Sequence, residues 1–253
     1  MKSMSVSRAD QCEDRKEQVI PIGTGIRTIE CVTMDGTRLK NPAVSVSGSC
    51  DKILIGHLGD RHIYGNRVLD LGCGTGVNGL YFARNGCAVE MVDISEDAIR
   101  ICEANAQQLG VSVETKIADV RGLSLEANTY DLIILSYLVQ FMRAEDGREL
   151  LTKCIAALKP GGDLHLSAFS VAEDLFKKAE EDSNQIATGV LRLDERTFQF
   201  ANGRILYFQT ATELLTNCKA LRCKHFFEGR ELDESHGEPH YHSFLAYIGT
   251  KED

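Results

Sequence analysis

The chain has 253 residues, a formal net charge of −9, and hydrophobic and charged fractions of 43% and 26%, the balance of a folded α/β domain with an extension. The acidic excess argues against broad electrostatic binding to nucleic acid or to an anionic membrane. No apolar run approaches a membrane span, and the polar start Met-Lys-Ser-Met-Ser-Val-Ser is not followed by a signal-peptide core, so a cytoplasmic protein is expected. A short transit peptide stays open.

Residues 1–18 lack apolar periodicity and read as a disordered N-terminus. Residues 19–60 read as a β-rich extension. Within it, two alternating runs flank Met34-Asp35-Gly36, and Asp-Gly between such runs signals a hairpin. A short helix is expected over 49–57. The main domain, 61–253, begins with the strand Arg67-Val68-Leu69-Asp70-Leu71, whose apolar run suits burial on both faces. Helix 77–85 follows and Asn85-Gly86 closes it. Strand 88–92 ends at Asp93. Ser95 is the expected N-cap of the next helix, with Glu96 and Asp97 in its first turn and Gly110 as its stop. Strand 111–117, strand 130–136, helix 147–158 and strand 163–168 continue the alternation. This predicts a doubly wound, mainly parallel seven-stranded sheet of α/β class. Residues 171–210 read as a lid insertion: a charged helix, then a hairpin in which Thr197-Phe198-Gln199-Phe200 and Arg204-Ile205-Leu206-Tyr207-Phe208 flank Ala201-Asn202-Gly203. A helix over 212–219 and strands over 221–227 and 242–250 complete the chain. The nine cysteines form no Cys-x-x-Cys pair and read as reduced, half-buried thiols.

After the first strand, Gly72, Gly74 and Gly76 fall at alternate positions in Gly72-Cys73-Gly74-Thr75-Gly76. Glycine admits positive φ and close ligand approach. The helix behind it aims free N–H groups at a carboxylate or phosphate. By itself this loop allows any nucleotide-like ligand, and its spacing departs from the G-x-G-x-x-G dinucleotide fingerprint.

Val68 to Gly76 resembles motif I of the class I S-adenosylmethionine (SAM)-dependent methyltransferases. The similarity continues through Asp93, Asp119, the strand from Tyr130 to Ser136, and the turn Leu158-Lys159-Pro160-Gly161-Gly162. Its implied fold is the Rossmann-like methyltransferase fold, with SAM bound and S-adenosylhomocysteine released. The cofactor residues it implies are Asp70, Gly72, Cys73, Gly74 and Gly76 around the methionine part, and Asp93 on the ribose hydroxyls. Ile94 and Val120 would sandwich the adenine, Asp119 would accept from its amine, and Ser136 would sit near the sulfonium. A narrower resemblance is carried by the stretch from Gly76 to Gly86 and by Ser136-Tyr137-Leu138-Val139-Gln140-Phe141-Met142. It points to the small-molecule branch that includes the tellurite-resistance methyltransferases, and it implies that Asn78 helps hold the cofactor. The N-terminal extension, the hairpin and the His-rich tail depart from that pattern, so its substrate is not carried over.

Methyl transfer needs alignment, exclusion of water and, for some acceptors, a base. Candidate bases are His236, His240 and His242, since histidine titrates near neutral pH. The same histidines could instead be surface residues, or bind a metal with Asp233, Glu234 or Glu238. Their spacing is not diagnostic, and no metal is assigned. Tyr137, Phe200, Arg204 and Tyr207 are the candidate acceptor contacts, and the alternative for the last three is packing of the hairpin on its own helix. A small-molecule acceptor is expected, with no nucleic-acid or membrane partner. Methylation of protein or RNA, or a non-catalytic SAM-binding regulator, are the alternatives. Oligomeric state is not legible.

Overall fold

The computed structural model describes residues 50–62, 64–233 and 240–252, with the strand backbones of Cys31–Val32 and Arg38–Leu39. The chain divides into two compact units, Met1–Ser45 and Val46–Asp253. In the first, β1 (Cys31–Val32) pairs antiparallel with β2 (Arg38–Leu39), the hairpin expected around Asp35-Gly36. Its turn, the rest of the expected extension before Cys50, and residues 1–18 lie outside the described residues.

The second unit opens on α1 (Lys52–Leu58), a helix expected as part of the N-terminal extension, and continues with β3 (Arg67–Leu71), α2 (Val77–Arg84), β4 (Ala88–Asp93), α3 (Glu96–Leu109), β5 (Glu114–Ile117) and β6 (Tyr130–Ser136). Then come α4 (Ala144–Ala157), β7 (Leu158–Phe169), α5 (Asp174–Ser183), β8 (Leu191–Arg192), β9 (Thr197–Gln199), β10 (Ile205–Tyr207), α6 (Ala211–Asn217), β11 (Leu221–Asp233) and β12 (His240–Lys251). Seven strands form one sheet in the order β11-β12-β7-β6-β3-β4-β5. Strands β3 to β7 are parallel, and β12 is antiparallel to both β7 and β11.

Period-two alternation explains why helices cover both faces. In β3, Val68 points to one core while Leu69 and Leu71 point to the other. In β6, Leu132 and Ile134 join Val68, while Ile133 and Leu135 join Leu69. α1, α2 and α3 cover the Val68 side through Leu54, Leu80, Phe82 and Cys102. α4 and α6 cover the other side through Leu150, Leu151, Cys154 and Leu214. Leu69 and Leu71 are fully buried, each contributing about 1.5–3 kcal/mol relative to exposure. The local signals behave as expected at α3. The Ser95 hydroxyl accepts from Ala98 N–H at 3.2 Å, and Gly110 takes the left-handed stop at φ 67°.

A third cluster, Phe169, Ala179, Val190, Phe198, Leu206 and Phe208, holds the segment between β7 and α6. The hairpin expected there is β9–β10, with β8 added as a third strand. β5 is shorter than expected and β11 is longer. Asp163, inside β7, is fully buried and accepts from His62 at 2.9 Å, Lys224 at 3.0 Å, Arg61 and Thr250. Burial pushes its carboxyl up, but the His62, Thr250 and Lys224 hydrogen bonds outweigh that and hold it well below the ordinary range. No helix among the described residues is long and apolar enough to cross a membrane.

Candidate active site

The strand order reverses beside β3, because β4 and β5 extend one way and β6 and β7 the other. Open α/β sheets bind ligands at such a point, beyond the carboxyl ends of the strands. A cavity of about 740 Å³ lies there. Asp70, Gly72 and Cys73 at the end of β3, Val77 and Asn78 at the start of α2, and Ser136 and Tyr137 at the end of β6 line it. The stretch Cys50 to Ile53 with His57, and residues of β11 and β12, complete the lining.

The loop is built by local hydrogen bonds. Gly72 and Cys73 N–H both donate to Val92 O, at 2.8 and 3.1 Å, pinning the turn to β4. Gly74 N–H donates to Asp93 Oδ2 at 2.8 Å, and Ser95 N–H donates to Asp93 Oδ1 at 2.9 Å. Asp93 therefore couples the glycine loop to the start of α3. Asp70 is buried and accepts from Gly79 N–H at 2.9 Å, in the first turn of α2. Burial raises its pKa to about 7 against the lowering by the Gly79 N–H, with Asp93 adding to the rise.

Of the expected cofactor residues, Asp70, Gly72, Cys73, Asn78 and Ser136 line the cavity. Gly74, Gly76, Asp93, Ile94, Asp119 and Val120 do not. Asp93 and Ile94 follow β4, and Asp119 and Val120 follow β5, one and two strands away from β3. Ile94 is 67% exposed there, while Val120 is buried. The Asp119 carboxylate receives Arg121 N–H at 3.0 Å and the Arg121 guanidinium, which hold its pKa below the ordinary value.

Of the expected acceptor contacts, only Tyr137 lines the cavity. Phe200 packs on the third hydrophobic cluster. Tyr207 is 2% exposed, and its phenol is pushed up by burial and then by Glu213. Arg204 lies over the Phe141 ring at 4.7 Å. The hairpin that carries these three packs on its own cluster and on the segment after β6, and none of the three lines the cavity. His242 Nδ1 lies 3.1 Å from Glu173 Oε1, and its ring stacks on Phe169 at 5.0 Å, away from the cavity lining. His240 enters β12, but its side chain lies outside the described residues, as does all of His236.

The structure supplies residues that sequence reasoning missed. Asp51 caps α1, accepting from Ile53 and Leu54 N–H at 3.0 and 3.1 Å. Its other oxygen meets Ser136 Oγ at 2.9 Å, His165 Nε2 at 2.9 Å and Ser167 Oγ at 3.2 Å. Its own N–H donates to Asn78 Oδ1 at 2.9 Å. Asp51 thus joins α1, α2, β6 and β7 at one point. Burial acts to raise its pKa, but the His165 hydrogen bond and charge, with the Leu54 and Ser136 bonds, hold it well below the ordinary range. Across the cavity mouth, the His57 and His225 rings stack at 3.8 Å. Asp51 directly before an apolar run was a readable N-cap signal. His165 between Leu164 and Leu166 was a polar residue in a buried strand. The meeting of His57 with His225 left no sequence signal, since each lies in an unremarkable amphipathic segment.

Residues 68–162 match the family model of a methyltransferase domain. The chain is 31% identical over 106 residues to the ubiquinone biosynthesis O-methyltransferase of Coxiella burnetii, covering 42% of this chain and 44% of that protein. It is 32% identical over 156 residues to the carboxy-S-adenosyl-L-methionine synthase of Vibrio atlanticus, covering 59% of this chain and 60% of that protein. The chain spans about half the length of the curated relatives it matches. Among solved structures, a SAM-dependent methyltransferase of Methanosarcina mazei aligns with TM-score 0.65 at 20% identity, over 81% of this chain and 99% of that one. TehB of Haemophilus influenzae aligns with TM-score 0.61 at 17% identity, over 85% of this chain and 64% of that one. Both share the fold. Residues 68–162 thus form a methyltransferase domain, set in a seven-stranded sheet with the fold of the SAM-dependent methyltransferases it aligns with.

Proposed function

We propose that this protein transfers a methyl group from SAM to a small-molecule acceptor and releases S-adenosylhomocysteine. One observation carries the reading. The residues of β3, β6 and the turns after them that would meet the methionine and sulfonium share one cavity of about 740 Å³ with residues of α1, β11 and β12. That volume lies in the range of small-molecule sites. Named relatives point the same way, since a Burkholderia thailandensis 1,6-didemethyltoxoflavin-N1-methyltransferase of this fold was solved with its small-molecule substrate and S-adenosylhomocysteine.

The residues fit the cofactor. Gly74 has φ 54°, and a Cβ built there meets no atom within 4 Å, so the loop leaves an open bed beside the chain. Asp70 offers a buried carboxylate for the ammonium group. Asp93 offers a half-buried carboxylate for the ribose hydroxyls, and exposed Ile94 an apolar face for the adenine. Asp119 would accept from the adenine amine beside Arg121. When bound, SAM supplies a methyl group made electrophilic by the sulfonium. The protein's part is to align an acceptor in line with it near Ser136 and Tyr137, and to exclude water.

Calorimetry with S-adenosylhomocysteine is the first test, and absence of binding would refute the reading. Labelled-methyl transfer into the low-molecular-mass fraction of a cell extract is the expected second result. Label appearing only in protein or RNA would reassign the acceptor class, and cofactor binding without transfer would favour a regulator. The synthase likeness motivates one more readout. Mass spectrometry of the nucleoside product should return S-adenosylhomocysteine, and a carboxylated SAM would replace methyl transfer by that chemistry.

A further inference from the structure

We propose that the mouth of this cavity binds a planar aromatic acceptor carrying an ionisable hydroxyl, and that the stacked His57–His225 pair takes its proton. The inference rests on the reading of the cavity as a methyl-transfer site and names the acceptor that it takes.

The first observation is an aromatic wall. Phe227 lines the cavity and is 50% exposed. Its ring lies 5.7 Å from Phe244, and Phe244 lies 6.2 Å from Tyr137. These three rings line the same cavity as Ser136, where the methyl group would be presented. Tyr137 holds φ 51°, in the left-handed region that costs a non-glycine residue energy, and its N–H is tied to Ser167 O at 2.9 Å. Such a conformation persists where the surroundings impose it, and here it accompanies a tyrosine that lines the cavity. A half-exposed phenylalanine in a concave site is covered best by a flat apolar face, which adds ring–ring attraction to area burial.

The second observation is the histidine pair. His57 on α1 and His225 on β11 both line the cavity, with rings 3.8 Å apart and 28° from parallel. Burial and then the neighbouring His225 lower the pKa of His57, which favours its neutral ring with a nitrogen lone pair. Among the described residues, the charged groups beside it are paired. On α1, Lys52 pairs with Glu231 of β11 at 2.6 Å, and the Asp51 cap pairs with His165 of β7 at 2.9 Å. On β11, Arg230 pairs with Asp174 at 2.8 Å. With both cations engaged by carboxylates, the mouth suits a neutral acceptor better than a phosphate or carboxylate. An aryl hydroxyl, titrating near about 10 as tyrosine does, is within reach of an imidazole base, whereas an alkyl hydroxyl is far above it.

The step balances. The acceptor oxygen attacks the methyl carbon, and an oxygen–carbon bond forms as the carbon–sulfur bond breaks. The electron pair of that bond stays on sulfur, which becomes a neutral thioether. The hydroxyl proton passes to the imidazole nitrogen and then to water.

The test uses the full chain and 2-naphthol, with decahydro-2-naphthol as the saturated match. Calorimetry is run with and without S-adenosylhomocysteine. 2-Naphthol should bind about fivefold to tenfold more tightly than the saturated alcohol. Phe227→Ala should abolish that preference. Equal affinities in the natural protein would overturn the aromatic site. The proton acceptor is read by fluorescence, from the ratio of naphtholate to naphthol emission of bound probe at pH 7. The ratio should be high in the natural protein and should collapse in the His57→Phe, His225→Phe double variant, which keeps the flat rings. An unchanged ratio would overturn the base assignment. Failure of S-adenosylhomocysteine to bind would sink the methyl-transfer reading, while the naphthol arms would still decide the aromatic site.

Discussion

Asp51 at the head of α1 and His165 in the middle of β7 share a 2.9 Å hydrogen bond across 114 residues of sequence. The same carboxylate caps α1 and meets Ser136 beside the expected sulfonium position. The cavity's α1 wall is therefore fixed to the strand ends through one side chain. Asp51→Ala should cost about 1–3 kcal/mol, from a lost cap and from buried donors left unpaired. Urea denaturation at pH 7 measures it. Because the folded carboxyl is held below its unfolded value, its contribution is complete above the ordinary carboxylate range and is lost as pH falls below that range. Asp51→Asn should flatten that acid limb of the stability profile. An unaltered limb would assign it wholly to other carboxylates, Asp163 first.

Asp70 behaves in the opposite sense. Burial raises its pKa to about 7, so folding loses stability as pH rises from the ordinary carboxylate range to about 7. Binding an ammonium group beside it should drive the proton off. S-Adenosylhomocysteine affinity should then rise with pH, by up to about tenfold per unit below the folded pKa, with proton release on binding. Calorimetry in buffers of different ionisation enthalpy detects the released proton. Asp70→Asn should lose the release, and a release that persists in that variant would mean another group is titrating.

Asp93 accepts from both Gly74 and Ser95 N–H. Asp93→Ala removes the loop contact and the expected ribose acceptor together. Cofactor affinity should fall about tenfold to a hundredfold, given hydrogen bonds to charged groups of about 1.5–3 kcal/mol. The domain should remain folded by circular dichroism, because Asp93 is not part of the core. Retained affinity would remove Asp93 from the cofactor site.

Gly76 caps α2 at φ 86°, and a Cβ built there lies 2.5 Å from Cys102 Sγ. Gly76→Ala combines left-handed strain with a clash against buried α3. A loss of about 1–3 kcal/mol is expected. Thermal unfolding should register it, and a variant as stable as the natural protein would show that α2 and α3 separate freely.

Arg204 tests the role of the β9–β10 hairpin. Its guanidinium lies 4.7 Å from the Phe141 ring centroid. Arg204→Ala should cost about 0.5–1 kcal/mol of stability and leave both cofactor and naphthol affinity unchanged. A selective drop in naphthol affinity would return the hairpin to the acceptor site.

The reading of 67–136 from sequence succeeded because its signals are local. Alternating apolar residues, Ser95 before a helix and Gly110 after it act within a few residues, and the structure holds each where the pattern puts it. The packing on the acceptor side was less legible for the opposite reason. Phe200, Arg204 and Tyr207 look like a lid in sequence, yet the apolar faces of β9 and β10 bury themselves on Phe169, Phe176 and Phe208 instead. The histidine-rich stretch drew attention by composition, while the histidines that face the cavity, His57 and His225, are isolated in sequence.

The sequence by itself determined the parallel sheet, the glycine loop and the acids at its strand ends, because periodicity, caps and left-handed turns are short-range physics. Only the tertiary structure decided what closes the cavity. The β11–β12 hairpin joins the sheet through β7, and the Asp51 cap anchors α1 to the end of β6 and the middle of β7. That brings His57 within 3.8 Å of His225. Contacts between distant segments depend on how whole elements pack, and no short-range pattern encodes them.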